Sequence, residues 1–164
     1  MCAVGDKIGA DVPICIKGGT LYSITSGDMI VAECDTNCVF VCIYPDFTLS
    51  TAEAYAKYDE NPTEINPHYA DFVSSIVCGS LSEGAGFISN VFTEIYHDSR
   101  IEEMKTDLLE SGAVISEMTG SGSVVFGVFE SEETAAYAKK ILSGKYPHVF
   151  TTRPVSCGVY VLER

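Results

Sequence analysis

Residues 114–142 read VISEMTGSGSVVFGVFESEETAAYAKKIL, and the fold prediction depends on this pattern. Two β-like runs, 114–118 and 124–129, are joined by the small-residue segment TGSGS, which predicts two strands connected by a tight turn. Ser131 then offers a helix N-cap, and the two glutamates after it place negative charge in the first turn. A helix is therefore expected over residues 131–142.

Upstream, residues 39–44 (VFVCIY) form an apolar run that ends at a Tyr-Pro-Asp turn, which is typical of a buried strand. Ser50 and Glu53 have capping-box spacing and predict a helix over residues 51–58. Further helices are expected over residues 68–77, over residues 80–87 and from residue 99 to a cap at Gly112, and further strands over residues 148–152 and 158–162. This order of strands and helices predicts an α+β fold, a ferredoxin-like split βαβ sandwich.

The segments LYSIT and MIVAE alternate around residues 26–28, so a β-hairpin is expected near the start of the sequence. This hairpin has no partner strand in the ferredoxin-like arrangement, and an isolated hairpin is only marginally stable. We therefore expect residues 1–36 to be the remnant of an N-terminal domain whose other strands are missing, and residues 37–164 to form a C-terminal domain.

Charge and composition exclude several classes of protein. The 23 acidic residues outnumber the 10 Lys and Arg and give a formal net charge of -13 in 164 residues, which argues against nucleic acid as a partner. No apolar stretch reaches the length of a membrane-spanning helix, so no membrane is expected as a partner. The seven cysteines contain no CxxC pair, which favours reduced thiols in a bacterial cytoplasm and no metal site.

Asp11 is the first candidate for chemistry. It lies in the segment GADVP, between a glycine turn and the strand-like segment VPICI at residues 12–16. The simplest interpretation is a local cap on the backbone. The functional alternative is a carboxylate that accepts the proton of a substrate hydroxyl during phosphoryl transfer.

Gly120, Ser121, Gly122 and Ser123 form the second candidate, a loop of small residues between two predicted strands. Such a backbone can approach a ligand closely and turn successive amides toward an anion. A tight strand connection with no ligand has the same composition.

Thr51 and Tyr55 form the third candidate, at the start of the helix predicted over residues 51–58. They are four residues apart and share one helix face, where an aromatic ring can stack on a planar base. The alternative is that the Tyr55 ring packs in or at the rim of the core.

Together, and in this order, these segments resemble the later part of the GHMP kinases. Residues 9–28 (GADVPICIKGGTLYSITSGD) are similar to a family segment that begins GSDVP and continues through GGT, and residues 44–59 (YPDFTLSTAEAYAKYD) to its P-x-x-x-x-ST-x-x-x-Y-x-x-x-D segment. Residues 118–129 (MTGSGSVVFGVF) are similar to the third motif of the family. Residues 90–92 (NVF) and the helix end at residues 108–112 extend the resemblance over nearly the whole chain.

The resemblance implies an alcohol phosphotransferase of non-mevalonate isoprenoid synthesis, which uses ATP and Mg²⁺ to phosphorylate the 2-hydroxyl of a cytidine-diphosphate-linked methylerythritol. Asp11 then corresponds to the catalytic aspartate. Tyr55 corresponds to the aromatic residue on the cytosine ring, and Thr51 lies beside the same substrate. The loop at residues 120–123 lines the cleft near the transferred phosphate.

Members of the family also carry, upstream of the aspartate, a lysine and a Pro-x-x-x-Gly-Leu-Gly-Ser-Ser motif that holds the phosphates of ATP, and nothing in this sequence resembles either. We therefore expect the chain to be inactive without a missing N-terminal half and to bind no cofactor by itself. One alternative is a GHMP kinase for homoserine, mevalonate or a sugar. Another is a non-catalytic ferredoxin-like domain that forms a homodimer through surface exposed by truncation.

Overall fold

The computed structural model describes residues 2–9, 11–23, 29–32, 37–62, 68–77 and 81–160. The chain divides into two compact units. Met1–Thr36 and Pro154–Arg164 together form the first, here called the hairpin unit, and Asn37–Arg153 forms the second, here called the sheet unit. None of the helices in the described ranges combines the length and the apolar character that crossing a membrane requires.

The hairpin unit contains two short helices and one pair of strands in its described residues: α1 (Cys2–Gly5), α2 (Val12–Lys17), β1 (Thr20–Ser23) and β2 (Met29–Ala32). The two strands pair antiparallel, with Leu21 opposite Val31. The predicted hairpin is therefore confirmed. Its predicted turn at residues 26–28 lies outside the described residues.

Residues 12–16 form most of helix α2, so the strand-like interpretation of VPICI is wrong. Valine and isoleucine favour strands, but Pro13 lies in the first turn of the helix, where its missing N–H breaks no helical hydrogen bond. The helix ends at Gly18, whose φ of 68° is a conformation that glycine adopts without steric cost.

Residues 155–158 return to the end of α2 within the hairpin unit. The Gly19 N–H donates to the Val155 carbonyl at 2.7 Å, and the Gly158 N–H donates to the Lys17 carbonyl at 3.1 Å. A Cβ atom at Gly18 would lie 2.2 Å from the Gly158 nitrogen, so only glycine allows this approach of the two backbones. The strand predicted over residues 158–162 is wrong for residues 158–160, which form no strand, and the rest lies outside the described residues.

The sheet unit contains both strands and helices. Its elements are β3 (Val39–Tyr44), α3 (Thr51–Glu60), α4 (Tyr69–Val77), α5 (Leu81–Gly84), a 3-10 turn (Ala85–Phe87), α6 (Val91–Tyr96), α7 (Ser99–Glu110), β4 (Ile115–Met118), β5 (Val125–Phe129), α8 (Glu132–Leu142) and β6 (His148–Thr152). The predicted helices and strands of this region are confirmed with ends shifted by a few residues, whereas α6 was not predicted.

The four strands of the sheet unit form one antiparallel sheet in the order β4-β5-β3-β6. At its centre, Val41 lies opposite Gly127 of β5 and Thr151 of β6. The first and third of these strands along the chain are thus neighbours in the middle of the sheet. This is the strand order of the ferredoxin-like sandwich, so the predicted α+β fold is confirmed.

Helices cover both faces of this sheet. On one face, Met104 and Leu108 of α7 and Leu142 of α8 belong to the main cluster of buried apolar side chains. On the other face, a smaller cluster includes Ile115 of β4, against which Phe72 of α4 packs. The loop between β4 and β5 and the start of α3 are therefore attached to a packed core, which fixes their positions.

Candidate functional site

The loop between β4 and β5 is a tight turn with its own hydrogen bonds. The Thr119 N–H donates to the Val124 carbonyl at 2.9 Å, and the Gly122 N–H donates to the Thr119 carbonyl at 3.1 Å. Gly120 and Gly122 have φ values of 57° and 89°, in the left-handed region that side chains disfavour. The positive φ values thus explain why two of the residues in TGSGS are glycines.

The two serines of this loop differ in what their hydroxyls contact. Ser123 is buried, and its Oγ donates to the Phe47 carbonyl at 2.6 Å, so this hydroxyl fastens the loop to the segment after β3. Ser121 is partly exposed, and its Oγ lies 2.7 Å from Thr51 Oγ1. Ser121 is therefore the serine that faces another predicted site residue.

The hydrogen bond between Thr51 and Ser121 joins two predicted segments that are 70 residues apart in sequence. Thr51 is the first residue of α3, directly after the N-cap Ser50, whose Oγ accepts from the Glu53 N–H at 3.3 Å. The capping box predicted for this helix start thus gives the cap that places Thr51 at the loop.

Tyr55 lies one helical turn after Thr51, and 56% of its surface is exposed. Its ring meets the ring of Phe92 in α6 edge-on, with centroids 5.1 Å apart and planes at 69°. This geometry is a favourable one for two aromatic rings. Tyr55 is therefore held at one edge by α6 while most of its surface remains accessible.

Asn90 links α6 to the loop and was missed as a site residue by the sequence analysis. Its Nδ2 donates to the carbonyls of Met118 and Gly120, both at 2.8 Å, and its Oδ1 accepts from the Phe92 N–H at 2.9 Å. Two signals pointed to it: the resemblance of residues 90–92 to the family, and an asparagine just before an apolar run, which is a helix N-cap pattern.

Arg100 lies beside the segment that holds Ser123. Its guanidinium carbon is 3.7 Å from the centroid of the Phe47 ring, and its Nη2 lies 2.6 Å from Asp98 Oδ2. The hydrogen bonds from Arg100, more than its charge alone, lower the pKa of the Asp98 carboxyl below its ordinary value. A cation and its partner carboxylate thus fix the N-terminus of α7 near the loop.

A polar cleft of about 290 Å³ lies between α3 and α6, beyond Tyr55. Lys57, Asn61 and His97 are among the residues that line it. Nearby, Lys57 Nζ is 4.7 Å from the centroid of the Tyr96 ring. Burial, with a smaller contribution from the charge of Glu53, raises the pKa of Tyr96, so its hydroxyl stays protonated and donates to the Ser50 carbonyl.

Asp11 belongs to the hairpin unit, at the N-cap position of α2, and is exposed. Its side chain makes no capping hydrogen bond to α2 within the described residues, whereas its carbonyl accepts from the Cys15 N–H at 3.1 Å. The other predicted site residues belong to the sheet unit, and the role implied for Asp11 stays a prediction. Within the described ranges, no cluster of three His, Cys, Asp or Glu side chains is placed to hold a metal ion.

Residues 89–148, which include Asn90 and the whole β4–β5 loop, match the family model described as GHMP kinases C terminal. This part of the chain is similar to the C-terminal domains of GHMP kinases. Along 97% of its length, the chain is 32% identical to 4-diphosphocytidyl-2-C-methyl-D-erythritol kinase of Caldanaerobacter subterraneus subsp. tengcongensis, over 161 residues that make up 56% of that protein. The chain thus spans about half the length of the curated relatives it matches.

Solved structures agree with this fold. Homoserine kinase of Cytophaga hutchinsonii superposes with a TM-score of 0.75 at 16% identity, over 90% of this chain and 52% of that one. A 4-(cytidine 5'-diphospho)-2C-methyl-D-erythritol kinase superposes with a TM-score of 0.68 at 17% identity, over 92% of this chain and 55% of that one. At these identities the likeness concerns the fold alone.

Proposed function

We propose that this chain is the C-terminal portion of a kinase that phosphorylates the 2-hydroxyl of 4-diphosphocytidyl-2-C-methyl-D-erythritol with ATP and Mg²⁺. The observation that carries the proposal is the 2.7 Å contact of Thr51 with Ser121, with Tyr55 one turn away on the same helix. This contact joins the start of α3, which the resemblance assigns to the cytidine, to the loop that the resemblance assigns to the phosphate. Relatives that carry the name of this kinase align with nearly the whole chain.

In this proposal the sheet unit binds the cytidylyl half of the substrate. The accessible ring of Tyr55 stacks on the cytosine, and Thr51 lies beside it. The loop at residues 120–123 approaches the phosphates with backbone amides, which is how a chain of net charge -13 can hold an anion locally. Asp11 is assigned, by resemblance, to accept the proton of the substrate hydroxyl.

ATP and Mg²⁺ would be held largely by the N-terminal portion that the longer relatives carry. We therefore infer that residues 1–36 are the remnant of that domain and that the chain alone transfers phosphate very slowly, if at all. The cytoplasm, where ATP is available, is the proposed location. A second copy of the chain is a partner only in the alternative, non-catalytic function.

Titration with cytidine 5'-diphosphate, followed by tyrosine fluorescence, tests the proposal without any need for turnover. Tyr55→Ala is expected to weaken binding about tenfold or more, because a stacked base contributes about 1–3 kcal/mol. Tyr55→Phe keeps the ring and should bind nearly as well as the wild type. Tyr137→Ala is the matched control, because Tyr137 is also an exposed tyrosine, on α8.

The same titration separates the alternatives. Absence of any response to cytidine diphosphate, or equal losses in the Tyr55→Ala and Tyr137→Ala variants, would contradict the cytidylyl proposal. A response to homoserine or mevalonate in place of cytidine diphosphate would favour a GHMP kinase with another substrate. Light scattering that gives a dimer mass, together with no ligand response, would favour the interaction domain.

A further inference from the structure

We propose that Asn90 is a positioning residue of the candidate site. Its carboxamide holds the loop between β4 and β5 in one conformation relative to α6. The inference takes the role of the loop in ligand binding from the proposed function. The hydrogen bonds that support it are observed independently of that function. The carboxamide makes three hydrogen bonds: it donates two to carbonyls of the loop and accepts one from an N–H of α6.

The chemistry of these three contacts requires an amide side chain. The two acceptors are the carbonyl oxygens of Met118 and Gly120, so the group between them must donate twice. The third partner is the Phe92 N–H, so the same side chain must also accept. A carboxylate could accept but not donate, and a hydroxyl could donate only once.

Helix α6 is fastened to β4 independently of Asn90. Thr93, one turn further along, donates from Oγ1 to Glu117 Oε1 at 2.8 Å, and both side chains are buried. The same Oε1 accepts from the Met118 N–H, and Glu117 Oε2 lies 3.2 Å from Lys105 Nζ. Because these contacts fix the helix, a change at Asn90 acts on the loop and not on the position of α6.

The contact with the Gly120 carbonyl also orients an amide. The Gly120–Ser121 peptide bond is trans, so its C=O and N–H point to opposite sides. With the carbonyl turned toward Asn90, the Ser121 N–H is turned away from α6. Asn90 therefore determines the side of the loop toward which the Ser121 N–H is directed.

Asn90 also joins the two halves of the site. The residue whose N–H it accepts is Phe92, and the Phe92 ring contacts Tyr55 edge-on. The carboxamide thus positions the loop relative to the helix that carries Phe92. A ligand that reaches from the Tyr55 ring to the loop, as a nucleoside diphosphate does, would be sensitive to it.

The test is Asn90→Asp in the full chain, a substitution that keeps the size of the side chain and its quality as an N-cap. The Phe92 amide should keep its protection, because a carboxylate still accepts. Amide exchange at Gly122, measured by NMR, should accelerate about tenfold, because two donors are lost and a negative charge faces two carbonyls. The affinity for cytidine 5'-diphosphate should fall about tenfold with it.

Two further variants control the result. Asn37→Asp makes the same chemical change at an exposed position where the sheet unit begins and should leave loop exchange and affinity unchanged. Asn90→Ser keeps a cap without adding charge and should accelerate Gly122 exchange as Asn90→Asp does. The urea unfolding midpoint should stay at the wild-type value in Asn37→Asp and should fall in the two Asn90 variants, because the hydrogen bonds to Met118 and Gly120 are lost.

Gly122 exchange in Asn90→Asp equal to that in Asn37→Asp would overturn the inference, whatever the ligand result. Accelerated exchange with unchanged affinity for cytidine diphosphate would also overturn it, since the loop would then be held without consequence for the ligand. Accelerated exchange in a protein whose wild type does not bind cytidine diphosphate would support the loop-holding role and reject the proposed function.

Discussion

Gly122 is the loop position with the least room for a side chain. Its φ is 89°, and a Cβ atom there would lie 2.7 Å from Met118 Sδ and 2.8 Å from Leu49 Cδ1. Gly120 also has a positive φ, of 57°, but has open space around it, and Gly86 has open space and no positive φ. Substitutions at the three glycines therefore distinguish two causes of lost stability: backbone strain at a positive φ, and steric overlap of a new Cβ atom with neighbouring side chains.

Alanine at these three positions should give a graded loss of stability. We expect Gly122→Ala to lower the free energy of unfolding by about 2–3 kcal/mol, and Gly120→Ala by about 1 kcal/mol, from the left-handed conformation alone. Gly86→Ala should stay within about 0.5 kcal/mol of the wild type. Urea unfolding followed by circular dichroism measures all three. Equal effects at Gly122 and Gly120 would mean that the Met118 and Leu49 side chains move aside without cost.

At the scale of the element, the N-terminus of α7 depends on pH through Asp98. Arg100 lowers the folded-state pKa of this carboxyl, so the ionised form stabilises the folded chain. That contribution is complete above the ordinary carboxyl pKa and is lost as the pH falls through the lowered folded-state value. We expect it to be under about 1 kcal/mol, because the Arg100 side chain is 55% exposed.

Asp98→Asn isolates this contribution, because asparagine caps a helix about as well as aspartate but carries no charge. The wild type should be slightly more stable than the variant above the ordinary carboxyl pKa, and the difference should shrink as the pH falls through the lowered folded-state pKa of Asp98. Unfolding free energies at a series of pH values check this. A difference that stays constant down to the lowest pH would rule out the ion pair as its source.

Sequence patterns predicted the elements whose signals are local. Ser50 and Glu53 are three residues apart, and their spacing placed the start of α3 correctly. The contacts that assemble the site are not local: Asn90 reaches carbonyls 28 and 30 residues away. No periodicity in the sequence encodes such a distance, so the loop could be predicted, but α6 and the side chain that joins it to the loop could not.

Helix α2 illustrates the opposite case, in which a local signal misled. Valine and isoleucine in residues 12–16 favour a strand, but a proline in the first turn is equally compatible with a helix, and the burial of Pro13 favours it here. The roles predicted for Asp11, Thr51 and Tyr55 stay predictions until ligand binding is measured.

At the scale of the whole molecule, the apolar core of the described residues lies between Cys38 and Leu142, inside the sheet unit. A chain of residues 37–153 should therefore fold alone and unfold in one cooperative transition in urea, with amide shifts of β3 to β6 like those of the full chain. A broad transition, or loss of dispersed amide signals, would mean that the hairpin unit is needed for the sheet to form.

The backbone contact of Gly18 and Gly19 with residues 155–158 has a consequence for the order of folding. The sheet unit is one continuous stretch of chain, so it can form as soon as that stretch has been synthesised. The contact at Gly19 must wait for Val155, which leaves the ribosome later, and its closure carries the entropic cost of a long intervening loop. The two-glycine junction is therefore a late event in biosynthesis, formed after the sheet unit has been synthesised.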